Sequence, residues 1–384
     1  MKKLYLLFIA FCFPIFINAQ TASFNITYTG ITPQAQAAFQ YAATIWGNTV
    51  TSAVPIKVLV HFQPLLSSML GITFPNGRKN FSGAPIADTW YSTSLANSIA
   101  GVELNPGEVD IEMYLNSTTV WNYDTTGTVP AGQYDLVTVA LHELGHGLGF
   151  LSLAKKTSTT GSFGLLMASD FAPLTTSFQW PNLDTLPSVF DRLLVTYLNA
   201  ELDTFPNPST TLGTTFSGNN VYFIGSYAMA ANGGNKPRIY APATFALGSS
   251  ITHLNEATYP AGTINELMTP NGTPSSANHN PGPICIGILK DIGWIINPNL
   301  SVPDLTTNEN TFSIYPNPSH DNIFFSSSIP KEKIKSIELK NILGENVMSL
   351  ENNSTTDVTR LPNGIYFITL VCKDFQVVKK FIKN

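Results

Sequence analysis

Residues 142–150 read HELGHGLGF. His142 and His146 stand about one helical turn apart, so on a helix they project from the same face, ~6 Å apart along the axis, and can grip a single zinc ion. Glu143 then lies beside the metal, placed to act as a general base. The five-residue pattern alone is only moderately specific, because HExxH also arises by chance on surface helices. The upstream residues argue for more. Leu136, Val137, Val139, Ala140 and Leu141 make the helix apolar and buried, Asp135 is its predicted N-cap, and Gly147 and Gly149 end it. Imidazoles and a carboxylate inside such a helix need partners to offset their desolvation, and a metal ion supplies one.

The third ligand is the discriminating question. Metzincin-type metalloproteases bend the chain at a glycine and continue HExxHxxGxxH. The corresponding position here is Ser152, and a hydroxyl is a rare zinc ligand, so either the site is defective or the ligand comes from farther along the chain. Three histidines remain downstream: His253, His279 and His320. His253 lies in GSSITHLNE, shortly before Glu266-Leu267-Met268-Thr269-Pro270, a candidate for a methionine turn under the metal. That order favours His253. His279, in SANHNPGP, follows the methionine and reads as a loop or supporting histidine, His61 as a strand histidine, and His320 as part of another domain. A glutamate is the competing third ligand. Thermolysin-like enzymes complete HExxH in this way, and Glu201 in NAELD lies at a permissible separation. It leaves the HxxG bend and the ELMTP turn unexplained.

Taken together, HELGHGLGF, a long insertion, a lone histidine in THLNE and an ELMTP turn resemble the leishmanolysin-type branch of the metzincin metalloproteases. The likeness covers residues 142–153 and about 248–294 well and the rest in outline. It implies one catalytic Zn²⁺ held by His142, His146 and His253, with Glu143 as base, Gly149 at the bend and Met268 as the turn methionine. Glu256 and Glu266 are candidates to orient a ligand imidazole. The sequence assigns no calcium site. One departure is that such proteases often carry a propeptide with a metal-blocking cysteine, and none is visible here.

The ends of the chain speak to location. Lys2 and Lys3 precede an apolar run from Leu4 to Ile17, and Asn18-Ala19 before Gln20 predicts a signal peptide over residues 1–19. Cys12 reads as part of that peptide. Cys285 and Cys372 fall in different predicted domains, so no disulfide framework is expected despite an oxidising destination. No other segment has the length and apolarity of a membrane span. Charge is sparse, 12% of residues, with −7 net over residues 20–297 and a neutral remainder, which argues against nucleic acid as a partner.

The expected fold class is α+β. A metzincin-like zinc protease domain, a twisted sheet supporting the active-site helix, would occupy residues 20–296, and a small all-β sandwich would follow. Ser23–Tyr28 alternates like an edge strand, Thr32-Pro33 starts a helix, and Ile56–Phe62 and Asp110–Leu115 read as strands. Residues 63–108 read as loops around short strands, and one sheet edge would hold an extended peptide. The insertion, about 154–247, predicts a helix over Val189–Leu202 and strands in VYFIGSY and PRIYAP, and is either structural elaboration or a substrate-selecting lobe. IGILKDIGW predicts a closing helix with Lys290 and Asp291 on its exposed side.

Residues 297–311 read as a linker and 312–384 as short alternating strands. SIYPNPS, LPNGIYFITL and VVKKFIKN together resemble the C-terminal sorting domain of the type IX secretion system; a carbohydrate-binding or adhesive module is the competing reading. The resemblance implies the type IX machinery as a partner and a secreted or cell-surface location. The resulting expectation is a secreted zinc endopeptidase acting on proteins or peptides through a metal-activated water, without a transmembrane anchor. The alternative is a secreted, zinc-stabilised binding or adhesion protein without catalysis.

Overall fold

Alternation of half-buried and exposed residues makes Phe24–Thr29 an edge strand, β1. Helix α1, Pro33–Thr49, follows directly: the Thr32 hydroxyl accepts the Ala35 N–H at 3.2 Å and Pro33 sits in the first turn, where its missing N–H is not needed. Its inner face carries Ala38, Phe39, Ala42 and Trp46, all fully buried, with the large side chains contributing about 1.5–3 kcal/mol each. The chain continues through β2 (Ile56–Gln63), β3 (Gly71–Pro75), β4 (Gly77–Arg78), β5 (Tyr91–Ser92), helix α2 (Thr93–Ala100), β6 (Ile111–Asn116) and helix α3 (Leu136–Gly147). The architecture is mixed α+β. This is a computed structural model describing residues 21–174, 184–298 and 312–384, the last span without 328–330, 332–333, 342–344, 353 and 373–375. The expected signal peptide and most of the expected linker lie outside the described residues.

The main sheet runs β1-β2-β6-β3, with β1, β2 and β6 parallel and β3 antiparallel at the edge opposite β1. All residues of β6 are buried, as a central strand covered on both faces requires. Asn116 N–H donates to the Leu70 carbonyl and Asn76 N–H to that of Asp110. The alternation of an antiparallel ladder therefore turns the N–H and C=O of Gly71 and Thr73 away from β6, toward the open edge. Sequence reading placed only unspecified short strands and loops here, and helix α2 was missed. It is short and polar, with Asn97 buried and bonded to Asp110 at 3.0 Å.

Two tryptophans fix α3 in this frame. Trp46 Nε1–H donates to Leu141 O at 2.8 Å, and Trp294 Nε1–H to Leu148 O at 2.7 Å. Trp294 follows the predicted closing helix, which is Pro283–Ile292. Lys290 on that helix is exposed, but Asp291 is not free: its carboxylate accepts the N–H groups of Tyr227 and Ala228 and caps the short helix Ser226–Ala231. That helix ends the expected VYFIGSY strand early, at Phe223.

The expected helix over Val189–Leu202 does not form. The segment is a 3-10 turn at Asp191–Leu193, a strand at Leu194–Val195 paired with Tyr222 and Phe223, and a second turn at Leu202–Thr204. Asp191 explains the override. Its fully buried carboxylate accepts the N–H groups of Leu153 and Ser188 and the Ser188 hydroxyl, so the segment is tied across the domain rather than along a helix axis.

The chain divides into two units, Met1–Asn297 and Pro298–Asn384. In the second, strands Phe312–Tyr315, Asn322–Ser327 and Ser354–Asp357 form one antiparallel sheet. Asn346–Ser349, Ile334–Lys340, Gly364–Cys372 and Gln376–Lys383 form the other. Ile323 and Phe325 from one sheet share a core with Leu339, Ile368, Leu370 and Phe381 from the other, which makes the unit a small β-sandwich.

Candidate metal centre

Helix α3 is apolar on nearly every face, so its polar residues are conspicuous. Asp135 caps it, its carboxylate accepting the Thr138 N–H at 2.8 Å. At the other end Gly149 adopts φ +108°, a conformation that disfavours a side chain, and the chain bends there. The residues after the bend are tied to the segment bearing His253: Ser152 N–H donates to Thr252 Oγ1 at 3.1 Å. Ser152 thus stands where the usual third histidine would be and anchors the strand of chain that brings His253 in.

His142, His146 and His253 converge. Their Nε2 atoms form a triangle with sides of 3.1, 3.2 and 3.2 Å. Each Nδ1 faces a backbone carbonyl: Leu267 O at 2.6 Å, Phe150 O at 2.7 Å and Ser249 O at 2.8 Å, respectively. A carbonyl can only accept, so each Nδ1 carries the proton and each Nε2 presents a lone pair. Burial lowers the pKa of all three rings, His253 to about 3 and His146 well below its ordinary value, with the neighbouring imidazoles adding to the effect for both. Three neutral rings thus aim three acceptors at one point with no protein donor between them, an arrangement that suits a cation. Tetrahedral zinc with nitrogens at ~2.0–2.1 Å sets them about 3.3 Å apart, so the donor set fits.

Among the described residues no other group of His, Cys, Asp and Glu side chains converges in this way. Glu201 is exposed at the start of a 3-10 turn, outside the cluster. His279 donates to or accepts from nothing in the triangle; its Nε2 meets Asp135 Oδ2 at 2.8 Å and so supports the cap of α3. His61 sits on β2 against Glu112 at 2.9 Å. Glu256 and Glu266 do not orient the imidazoles. Glu256 accepts from Asn271 at 2.6 Å and Glu266 from the Gly262 N–H, while backbone carbonyls do the orienting. Met268 is fully buried beneath α3, its Sδ so close under Gly145 that a Cβ there would lie 2.9 Å from it.

Glu143 lies outside the triangle and is nearly fully buried. Burial pushes its carboxyl up to about 7, opposed by the Thr73 hydroxyl, which donates to Oε2 at 2.7 Å. Histidines and glutamate line one cleft of about 1110 Å³, bounded on one side by β3. Leu166, Met167 and Phe171 of the insertion also line it, Phe171 meeting Phe74 of β3 edge-on at 5.2 Å. No lysine or arginine lines the cleft among the described residues. Gly71 and Thr73 escaped the sequence reading; the alternation in Gly71–Pro75 was the only signal available for them.

The second unit has a family match. Residues 313–384 match the family described as Secretion system C-terminal sorting domain. This tail directs type IX secretion, to the cell surface or the extracellular space. No curated protein matches the chain. No helix among the described residues is long and apolar enough to cross a membrane. Because the catalytic candidates all lie before Asn297, a chain truncated there should keep any hydrolytic activity in vitro and fail to be exported from its native host. Comparing secretion and digestion by the full and truncated chains checks both halves. A folded, zinc-loaded truncated chain that has lost activity would place the tail in the substrate grip.

Proposed function

We propose that this chain is a secreted zinc-dependent endopeptidase laid out like the leishmanolysin-type metzincins. The observation that carries this reading is the convergence of three Nε2 lone pairs beside a buried carboxylate in an open cleft. The bend at Gly149 and Met268 beneath α3 agree with that layout.

A zinc ion bound there would polarise a peptide carbonyl and make a water acidic near neutral pH. His142, His146 and His253 would hold it, their tautomers set by the three carbonyls. With Oε2 held by Thr73, Glu143 keeps Oε1 to take the proton of the attacking water and later pass it to the departing amine. The outward N–H and C=O groups of Gly71 and Thr73 offer an extended peptide an antiparallel partner along the cleft. No serine or cysteine nucleophile is required.

The direct test pairs metal analysis with digestion of a panel of unfolded proteins. One zinc per chain is expected, with hydrolysis abolished by a chelator and restored by added zinc. Full activity in a metal-free chain, or none in a zinc-loaded one, would overturn the proposal.

A further inference from the structure

We infer that Thr73 and Gly71 of the edge strand are positioning residues that aim the Glu143 carboxylate, an inference that rests on the endopeptidase reading. Thr73 is buried and its hydroxyl donates to Glu143 Oε2 at 2.7 Å. Among the described residues it is the only hydrogen-bond partner of that carboxylate. Gly71, two residues earlier, lies on the same face of the strand. A Cβ there would stand 2.8 Å from Glu143 Oε1, 3.0 Å from its Cγ and 3.1 Å from its Cδ. One residue therefore pulls the carboxylate against the strand and the other leaves the space it occupies.

The arrangement also leaves the two oxygens inequivalent. Oε2 is committed to Thr73, which accounts for the orientation of the group, and Oε1 remains to receive a proton. A glutamate side chain has three rotatable bonds, and without the hydroxyl the carboxylate would sample orientations that point away from the histidines. The strand whose outer edge offers pairing groups to a substrate is thus the strand whose inner face sets the base. Peptide and base are registered on the same five residues, Gly71–Pro75.

The test compares the full chain with Thr73→Val, Thr73→Ser and Gly71→Ala, measuring kcat, KM, bound zinc and melting temperature on one peptide. Thr73→Val should lose about 10- to 100-fold in kcat, the usual effect of removing such a supporting partner, with KM changed less than about twofold and zinc retained. Thr73→Ser, which keeps the hydroxyl, should recover most of that loss. Gly71→Ala should reproduce the kcat defect by displacing the carboxylate, and it serves as an independent arm should Thr73→Val fail to fold. A crystal structure of the zinc-loaded Thr73→Val or Gly71→Ala chain should show the carboxylate moved from its place.

Wild-type kcat in a folded Thr73→Val or Gly71→Ala chain, or an unmoved carboxylate, overturns the inference. So does a Thr73→Ser chain as slow as Thr73→Val. Those outcomes leave the endopeptidase reading standing, because the wild-type chain still cleaves. A zinc-loaded wild-type chain that cleaves nothing removes both.

Discussion

Replacing Glu143 by alanine should leave zinc bound and the fold intact, and should lower peptide hydrolysis by roughly 10²- to 10⁴-fold, the span associated with losing a general acid or base. The residue is no ligand in the histidine triangle, so metal content should not change. Its stability role is slight or unfavourable, because burial alone drives its carboxyl up to about 7 and a single hydroxyl compensates. A buried, poorly compensated carboxylate facing a cleft is a candidate for chemistry rather than for stability. Zinc content, melting temperature and rate, measured on the same preparation, check the three parts of the expectation. Equal digestion by wild type and Glu143→Ala would exclude the mechanism and favour a secreted, zinc-stabilised binding protein.

His253→Ala should abolish zinc binding at one equivalent of metal, whereas His279→Ala should keep it. The first removes one corner of the Nε2 triangle and leaves two ligands on adjacent turns of α3. The second removes only a ring bonded to Asp135, whose carboxylate still accepts the Thr138 N–H and hydroxyl, so the cost is one hydrogen bond, about 1 kcal/mol, and not metal. Metal analysis after gel filtration separates the two. Full occupancy in folded His253→Ala would sink the ligand assignment, and zinc loss in folded His279→Ala would reopen it.

Helix α3 was legible because its signals agree: an apolar run, an aspartate cap and glycines at the end point to one element with one polar face. His253 was legible by elimination and by its place before Met268. The tail was legible from alternation, since strands such as Asn322–Ser327 and Ile334–Lys340 read inward and outward in turn. Three things were hidden. β3 is short and set among Gly, Ser and Asn, so its importance comes from its neighbour in space and not from its own pattern. Val189–Leu202 has helical periodicity that a buried Asp191 and pairing with Tyr222 and Phe223 override. The groups that orient the imidazoles are backbone carbonyls of Leu267, Phe150 and Ser249, and a carbonyl has no residue type to announce it. Glutamates were the natural expectation there, and Glu256 and Glu266 turn instead to Asn271 and Gly262.

The triangle of histidines spans the chain as well as the cleft. His146 and His253 are 107 positions apart, and Cys285, the one cysteine whose side chain is described in the first unit, is buried and free. An ion held by the three rings is therefore a crosslink that closes a loop of that length, in a domain with no sulfur bridge among its described residues to do so. Closing such a loop removes entropy from the unfolded chain, by about 4 to 5 kcal/mol in the polymer treatment used for covalent bridges. Metal uptake would then serve as the maturation step of an exported protein. Until it occurs, the segment bearing His253 is held to the residues after α3 by packing and by hydrogen bonds such as that from Ser152 N–H to Thr252 Oγ1.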